Sequence, residues 1–173
     1  MEFNKSDTDS NKNVDFKQIS LNIRRGAYKC IGIGSGRIVF DLGNGYVVKA
    51  AKNKRGIAQN EAEYKISLAD DSDLFAKIPS ASERFRLLIM DKADKIKDIS
   101  YVWNYFNIRN NRELYQIKKL QDISSRYGLL LIDLGRSVNW GQINGKPVII
   151  DYGFTKEVRI RYYMPPLFRI LRM

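Results

Sequence analysis

Histidine is absent from the 173 residues, cysteine occurs once and proline four times, and no apolar run is longer than four residues, Leu129 to Ile132 among them. The lone thiol, Cys30, excludes an internal disulfide. With no imidazole in the chain, it also leaves no zinc site. A reducing cytoplasm is the expected setting. A membrane span takes about 20 apolar residues, so runs this short exclude one. The N-terminus, Met1-Glu-Phe-Asn-Lys-Ser-Asp7, is polar and is expected to be unprocessed. No internal repeat appears, and residues 1–13, rich in Asn, Asp, Ser and Lys without periodicity, read as a frayed tail.

Charge, by contrast, is abundant and one-sided: the formal net charge is +11. Between Arg24 and Gly56 stand eight cations (Arg24, Arg25, Lys29, Arg37, Lys49, Lys52, Lys54 and Arg55) against one acid, Asp41. Three readings compete for this cluster: phosphate attraction in a cleft, a nucleic-acid-binding face, and a solvated surface. Tyrosine and phenylalanine, 10 and 8 in number, do not alternate with the cluster. That arrangement argues against a stacking platform for single strands.

The basic cluster coincides with a glycine-rich stretch, Gly32-Ile-Gly34-Ser35-Gly36, leading through apolar residues to Asn44-Gly45 and then Val47-Val48-Lys49. Glycine lets backbone approach a phosphate closely and adopt φ values that other residues resist. Asn-Gly between strand-like runs predicts a hairpin with a type I′ turn. Lys49 then lies on a third strand, with its ammonium in reach of phosphates under the loop. Ile57 to Leu68 follows with helical spacing, Ile57, Glu61, Tyr64 and Leu68 forming one stripe and Ala62, Glu63 and Ile66 beside it. Phe85 to Met90 reads as a strand. Two helices are expected next, one on Ile99, Val102, Trp103 and Phe106, the other on Leu114, Ile117, Leu120 and Ile123, ended by Gly128. A second Asn-Gly, Asn144-Gly145, marks another hairpin, which brings Asn139 and Asp151 to neighbouring strand ends.

In the order of these motifs the chain resembles the protein-kinase-like fold, more narrowly the small kinase-like proteins of bacteria and their phages, over Tyr28 to Phe154. Asn139-Trp-Gly, a short hairpin and Asp151-Tyr-Gly succeed one another as in that group. The resemblance implies an α+β, two-lobed architecture with a truncated helical C-terminal lobe: a flexible segment 1–22, a β-rich lobe 23–92 with one helix, and a small, mainly helical lobe 93–173 with a basic tail. It implies ATP held by Gly32, Gly34, Ser35, Gly36 and Lys49, with adenine against Met90, the Asp91 carbonyl and the Ala93 amide. Glu63, or Glu61 close behind it, is the expected partner of Lys49. Asp133 is the expected base for an attacking hydroxyl, and Asn139 with Asp151 the expected ligands of Mg²⁺ or Mn²⁺.

Four departures from the family pattern are visible. Asn139 follows Asp133 by six residues where five is usual, Leu131 and Ile132 replace the usual Arg and His, Gly36 comes one residue early, and Tyr152 replaces Phe. The leading expectation is a minimal serine/threonine protein kinase acting on a protein substrate. The departures define an alternative, a pseudokinase that binds nucleotide as a scaffold or regulator. A basic nucleic-acid-binding protein is the third. Small-molecule phosphotransferases of this fold carry a larger helical region after the metal-binding aspartate than the 22 residues found here.

Overall fold

The structure is a computed structural model describing residues 14–164. Asp15 accepts a hydrogen bond from the Gln18 amide and caps helix α1 (Phe16–Arg24), satisfying one of the amides that a first helical turn leaves open. Of the flexible segment expected over 1–22, residues 16–22 are helical in α1, and the tail 1–13 lies outside the described residues. The cause of the helix is the Asp15 cap together with Phe16, Ile19 and Ile23, half-buried at helical spacing.

Strands β1 (Lys29–Ile33), β2 (Arg37–Asp41) and β3 (Tyr46–Ala51), helix α2 (Lys54–Ala69), and strands β4 (Ser80–Ala81) and β5 (Leu87–Asp91) follow. The five strands form one antiparallel sheet in the order β1-β2-β3-β5-β4. The two Asn-Gly pairs behave differently. At Asn144-Gly145 both residues have positive φ, +51° and +76°, and Ile143 pairs directly with Lys146, as a two-residue type I′ hairpin requires. At Asn44-Gly45 the positive φ values fall on Gly43 and Gly45 instead, so the expected type I′ turn does not form. Asp41 is the reason: its carboxylate accepts the Gly43 amide at 2.9 Å and draws the loop out to Leu42–Gly45.

Strand β6 (Asp94–Lys95) opens the second half, followed by α3 (Ser100–Tyr105), α4 (Asn111–Leu114), α5 (Lys118–Tyr127), α6 (Leu131–Leu134), a 3-10 turn over Ser137–Asn139, β7 (Trp140–Ile143), β8 (Lys146–Ile149) and α7 (Lys156–Tyr163). Strands β6, β7 and β8 form a second antiparallel sheet. The helix expected across Leu114 to Ile123 is divided into α4 and α5. Ile117 is extended, and the Tyr115 carbonyl accepts from the Gln121 side chain at 3.0 Å rather than from a helical amide. Gly128, at φ +65°, closes α5 as expected.

Segment 74–77 ties the two sheets together, the Lys77 carbonyl accepting the Asp91 amide of β5 at 2.9 Å. Ala76 N–H donates to the Ile149 carbonyl and Ile149 N–H to the Leu74 carbonyl, at 3.0 and 2.7 Å. One core therefore runs from Leu88 and Met90 in the first sheet to Val102, Leu114, Leu120 and Ile149 in the second half, all fully buried. The fold is α+β with antiparallel sheets. Among the described residues no helix is long and apolar enough to cross a membrane.

Candidate functional site

Glu63 is the hub of the site. It is fully buried on α2, and its carboxylate receives two cations and two amides. Lys49 Nζ donates to Oε1 and Oε2 at 2.9 and 2.8 Å, Arg37 Nη1 lies 2.8 Å from Oε2, and the Tyr152 and Gly153 amides donate to Oε1 at 3.1 Å each. Glu61, the other candidate partner of Lys49, is turned away and pairs with Lys65 at 2.7 Å. A buried charge is tolerated when it is paired and hydrogen-bonded, and Glu63 meets both conditions.

The stripe expected on α2 is not its inward face. Gly56, Gln59, Asn60, Glu63 and Ile66 are buried, while Leu68 is 68% exposed. A mostly polar face points inward because it must meet Lys49, Arg37 and backbone. Asn60 accepts from Arg37 Nη1 at 3.3 Å and donates to the Phe85 carbonyl at 2.8 Å. Gly153 allows this close approach, since a Cβ there would stand 2.5 Å from the Gln59 carbonyl oxygen.

Arg37 was not among the expected site residues. It is buried, and its Nη2 lies 2.6 Å from Asp151 Oδ1. The available signal was strand parity: Arg37 shares a face of β2 with Val39, and Val39 pairs with Lys49 across β2 and β3. Burial lowers the tendency of Arg37 to hold its proton, but Glu63 and Asp151 outweigh it and the net shift is upward. For Lys49 burial prevails over Glu63, and the shift is downward. Asp151 is half-exposed, and partial loss of water pushes it up less than Arg37 and Lys49 together pull it down, below the ordinary carboxylate range.

Two cavities meet at Asp151. The larger, about 760 Å³, lies within the size range of small-molecule sites. Gly32, Gly34, Lys49, Met90, Asp91 and Ala93 line it, with Arg37 and Asp151. The smaller, about 290 Å³, is lined by Ser35, Asp133, Asn139 and Asp151, with Gln59, Arg136 and Tyr163 among their neighbours. Burial raises Asp133 above the ordinary carboxylate range, partly offset by Arg136. Asn139 Nδ2 donates to the Asp133 carbonyl at 2.7 Å, which leaves Oδ1 as its acceptor end.

Gly36 lines neither cavity. Its carbonyl accepts the Lys52 amide at 2.8 Å, and a Cβ on it would stand 3.0 Å from the Gly56 amide nitrogen. It serves the packing of the loop on α2. The basic turn is spent the same way, with Lys52 Nζ on the Gly34 carbonyl and Asn53 Nδ2 on the Ser35 carbonyl, at 2.9 and 3.2 Å.

Tyr152 is buried against Phe75 with ring centroids 4.5 Å apart. Its hydroxyl donates to the Ala76 carbonyl at 2.8 Å, and burial drives its pKa upward. Tyr152→Phe is expected to cost about 1 kcal/mol, the worth of one such bond. Urea unfolding checks this, and an unchanged or higher midpoint would refute the bond.

No protein-family model and no curated protein matches the chain. Among solved structures, the chain is similar to the PknI kinase domain of Mycobacterium tuberculosis at 16% identity and a TM-score of 0.43, over 75% of this chain. It spans 60% of that domain's length.

Proposed function

We propose that the chain is an ATP-dependent phosphotransferase of two-lobed, protein-kinase-like build, transferring the γ-phosphate to a serine or threonine hydroxyl of a protein. The observation that carries the reading is the position of Asp151, shared by a cavity that holds Lys49 and the glycine-rich loop and a cavity that holds Asp133 and Asn139. ATP in the larger cavity would place adenine by Met90, Asp91 and Ala93 and its phosphates by Lys49, which Glu63 keeps in place. An acceptor hydroxyl in the smaller cavity would give its proton to Asp133. The raised pKa of Asp133 sets the sign of the pH dependence: transfer falls as pH drops through that pKa and the base becomes protonated.

Asn139 and Asp151 fit a magnesium-type ion in donor chemistry, with one carboxylate and one amide oxygen. Among the described residues no group of three or more His, Cys, Asp or Glu gathers. Two protein ligands completed by phosphate oxygens and water are the arrangement such an ion accepts. When bound, the ion supplies charge neutralisation between the phosphates.

The Arg37–Asp151 contact favours a second reading, a protein that binds nucleotide in the same cleft without transferring phosphate. Transfer of labelled γ-phosphate from ATP, to the chain itself and to a host lysate with Mg²⁺ or Mn²⁺, separates the two. Labelling is expected from the wild type and should fall by at least about 10²-fold in Asp133→Ala, with Asp151→Asn also impaired. ATP binding without labelling under any metal or partner would establish the second reading.

A further inference from the structure

Arg37 marks the second reading by its contact with Asp151, but neither reading says what it does for a ligand. It enters from the first residue of β2, directly after the glycine-rich turn, and its guanidinium touches two other segments of the site. Nη1 reaches Asn60 and Glu63 on α2, at 3.3 and 2.8 Å, and Nη2 reaches Asp151 Oδ1 at 2.6 Å. With Lys49 it makes two cations against two carboxylates, Glu63 and Asp151. The cluster is thus already neutral before anything binds. An arginine carries up to five N–H donors and keeps its charge at any working pH, so these contacts do not exhaust it. It lines the larger cavity beside Lys49.

Two consequences follow from Coulomb's law in a half-buried site. Asp151 unneutralised would repel an entering polyphosphate, and Arg37 removes that repulsion without a metal. A divalent ion approaching Asp151 in the nucleotide-free protein, conversely, meets a guanidinium already on one of its oxygens. We propose that Arg37 is a resident cation of the phosphate site, neutralising Asp151 and letting the cleft bind a nucleoside triphosphate without an obligatory divalent metal. The proposal rests on the nucleotide-site reading above.

Calorimetric titration of the full chain with ATP, in EDTA and in excess Mg²⁺, tests it. Wild type is expected to bind ATP in EDTA within about tenfold of its affinity with Mg²⁺. Arg37→Gln should lose about ten- to a hundredfold of the metal-free affinity, the worth of a charge-assisted hydrogen bond, and lose less with Mg²⁺. Arg37→Lys, which restores the charge, should recover part of the loss. A purely structural role would weaken both conditions equally, and circular dichroism confirms that each variant is folded.

A second measurement needs no variant. Mn²⁺ followed by electron paramagnetic resonance is expected to bind the nucleotide-free wild type no more than marginally. Tight Mn²⁺ binding without nucleotide, or ATP binding that vanishes in EDTA, would overturn the proposal while leaving the nucleotide site standing. No ATP binding in either condition would overturn both.

Discussion

Glu63→Ala is expected to destabilise the protein by about 3–5 kcal/mol, the cost of removing one partner of a buried ionic cluster, and so to lower the melting temperature by roughly 6–20 °C. The substitution leaves Lys49 and Arg37, 5% and 6% exposed, with only the Asp151 carboxylate between them. It also deprives the Tyr152 and Gly153 amides of their acceptor. Glu63→Gln keeps that acceptor and should fall between alanine and wild type. Glu61→Ala is the control: its pair with Lys65 is exposed, and such pairs contribute about 0–1 kcal/mol. Denaturant unfolding followed by circular dichroism measures all three. A loss at position 63 no larger than at 61 would refute the buried cluster.

The second large effect is expected at Gly56, where the usual sign reverses. Glycine to alanine within a helix ordinarily gains about 1 kcal/mol. Here the added Cβ would stand 2.0 Å from the Gly36 carbonyl oxygen and 3.2 Å from Ala51 Cα. Every one of these atoms is backbone, so no side chain can rotate aside. Either α2 withdraws from the glycine-rich turn or the turn gives up the bond from the Lys52 amide. Gly56→Ala is expected to cost about 2–4 kcal/mol, above the ordinary range for overpacking because backbone must move. If the turn is displaced, metal-free ATP binding should weaken as well, because Arg37 follows the turn directly. A gain in stability by urea titration would show that α2 and the turn are not in contact.

Several parts of the site were legible because their signals are local. Val47-Val48-Lys49 announces a strand ending in a cation, and Lys49 lies on β3 as that pattern requires. At Asn144-Gly145 the Tyr101 hydroxyl donates to the Gly145 carbonyl and leaves the type I′ turn in place. Asn44-Gly45 has the same dipeptide, but the Asp41 carboxylate captures a loop amide and changes the turn. Helix α1 was readable in principle from Asp15 and the spacing of Phe16, Ile19 and Ile23, but the polar composition around it hid the signal. The choice of Glu63 over Glu61 came from resemblance, and periodicity alone does not separate them. A helical pattern of apolar residues points to Ile57, Tyr64 and Leu68, whereas the buried face of α2 carries Gln59, Asn60 and Glu63.

What the sequence by itself determined is what nearest neighbours along the chain control: which segments extend or coil, where glycine and asparagine turn them, and which side chains bring charge or oxygen ligands. What only the tertiary structure decided is which charges neutralise one another. Arg37, Glu63 and Asp151 come from β2, α2 and the segment after β8, and residues 37 and 151 lie 114 positions apart. The free energy of a buried charge depends on the distance to its counter-charges and on the loss of water around it, not on its neighbours in sequence. Arg37 reads as one more cation in a basic stretch until the folded chain places two carboxylates within 3 Å of its guanidinium.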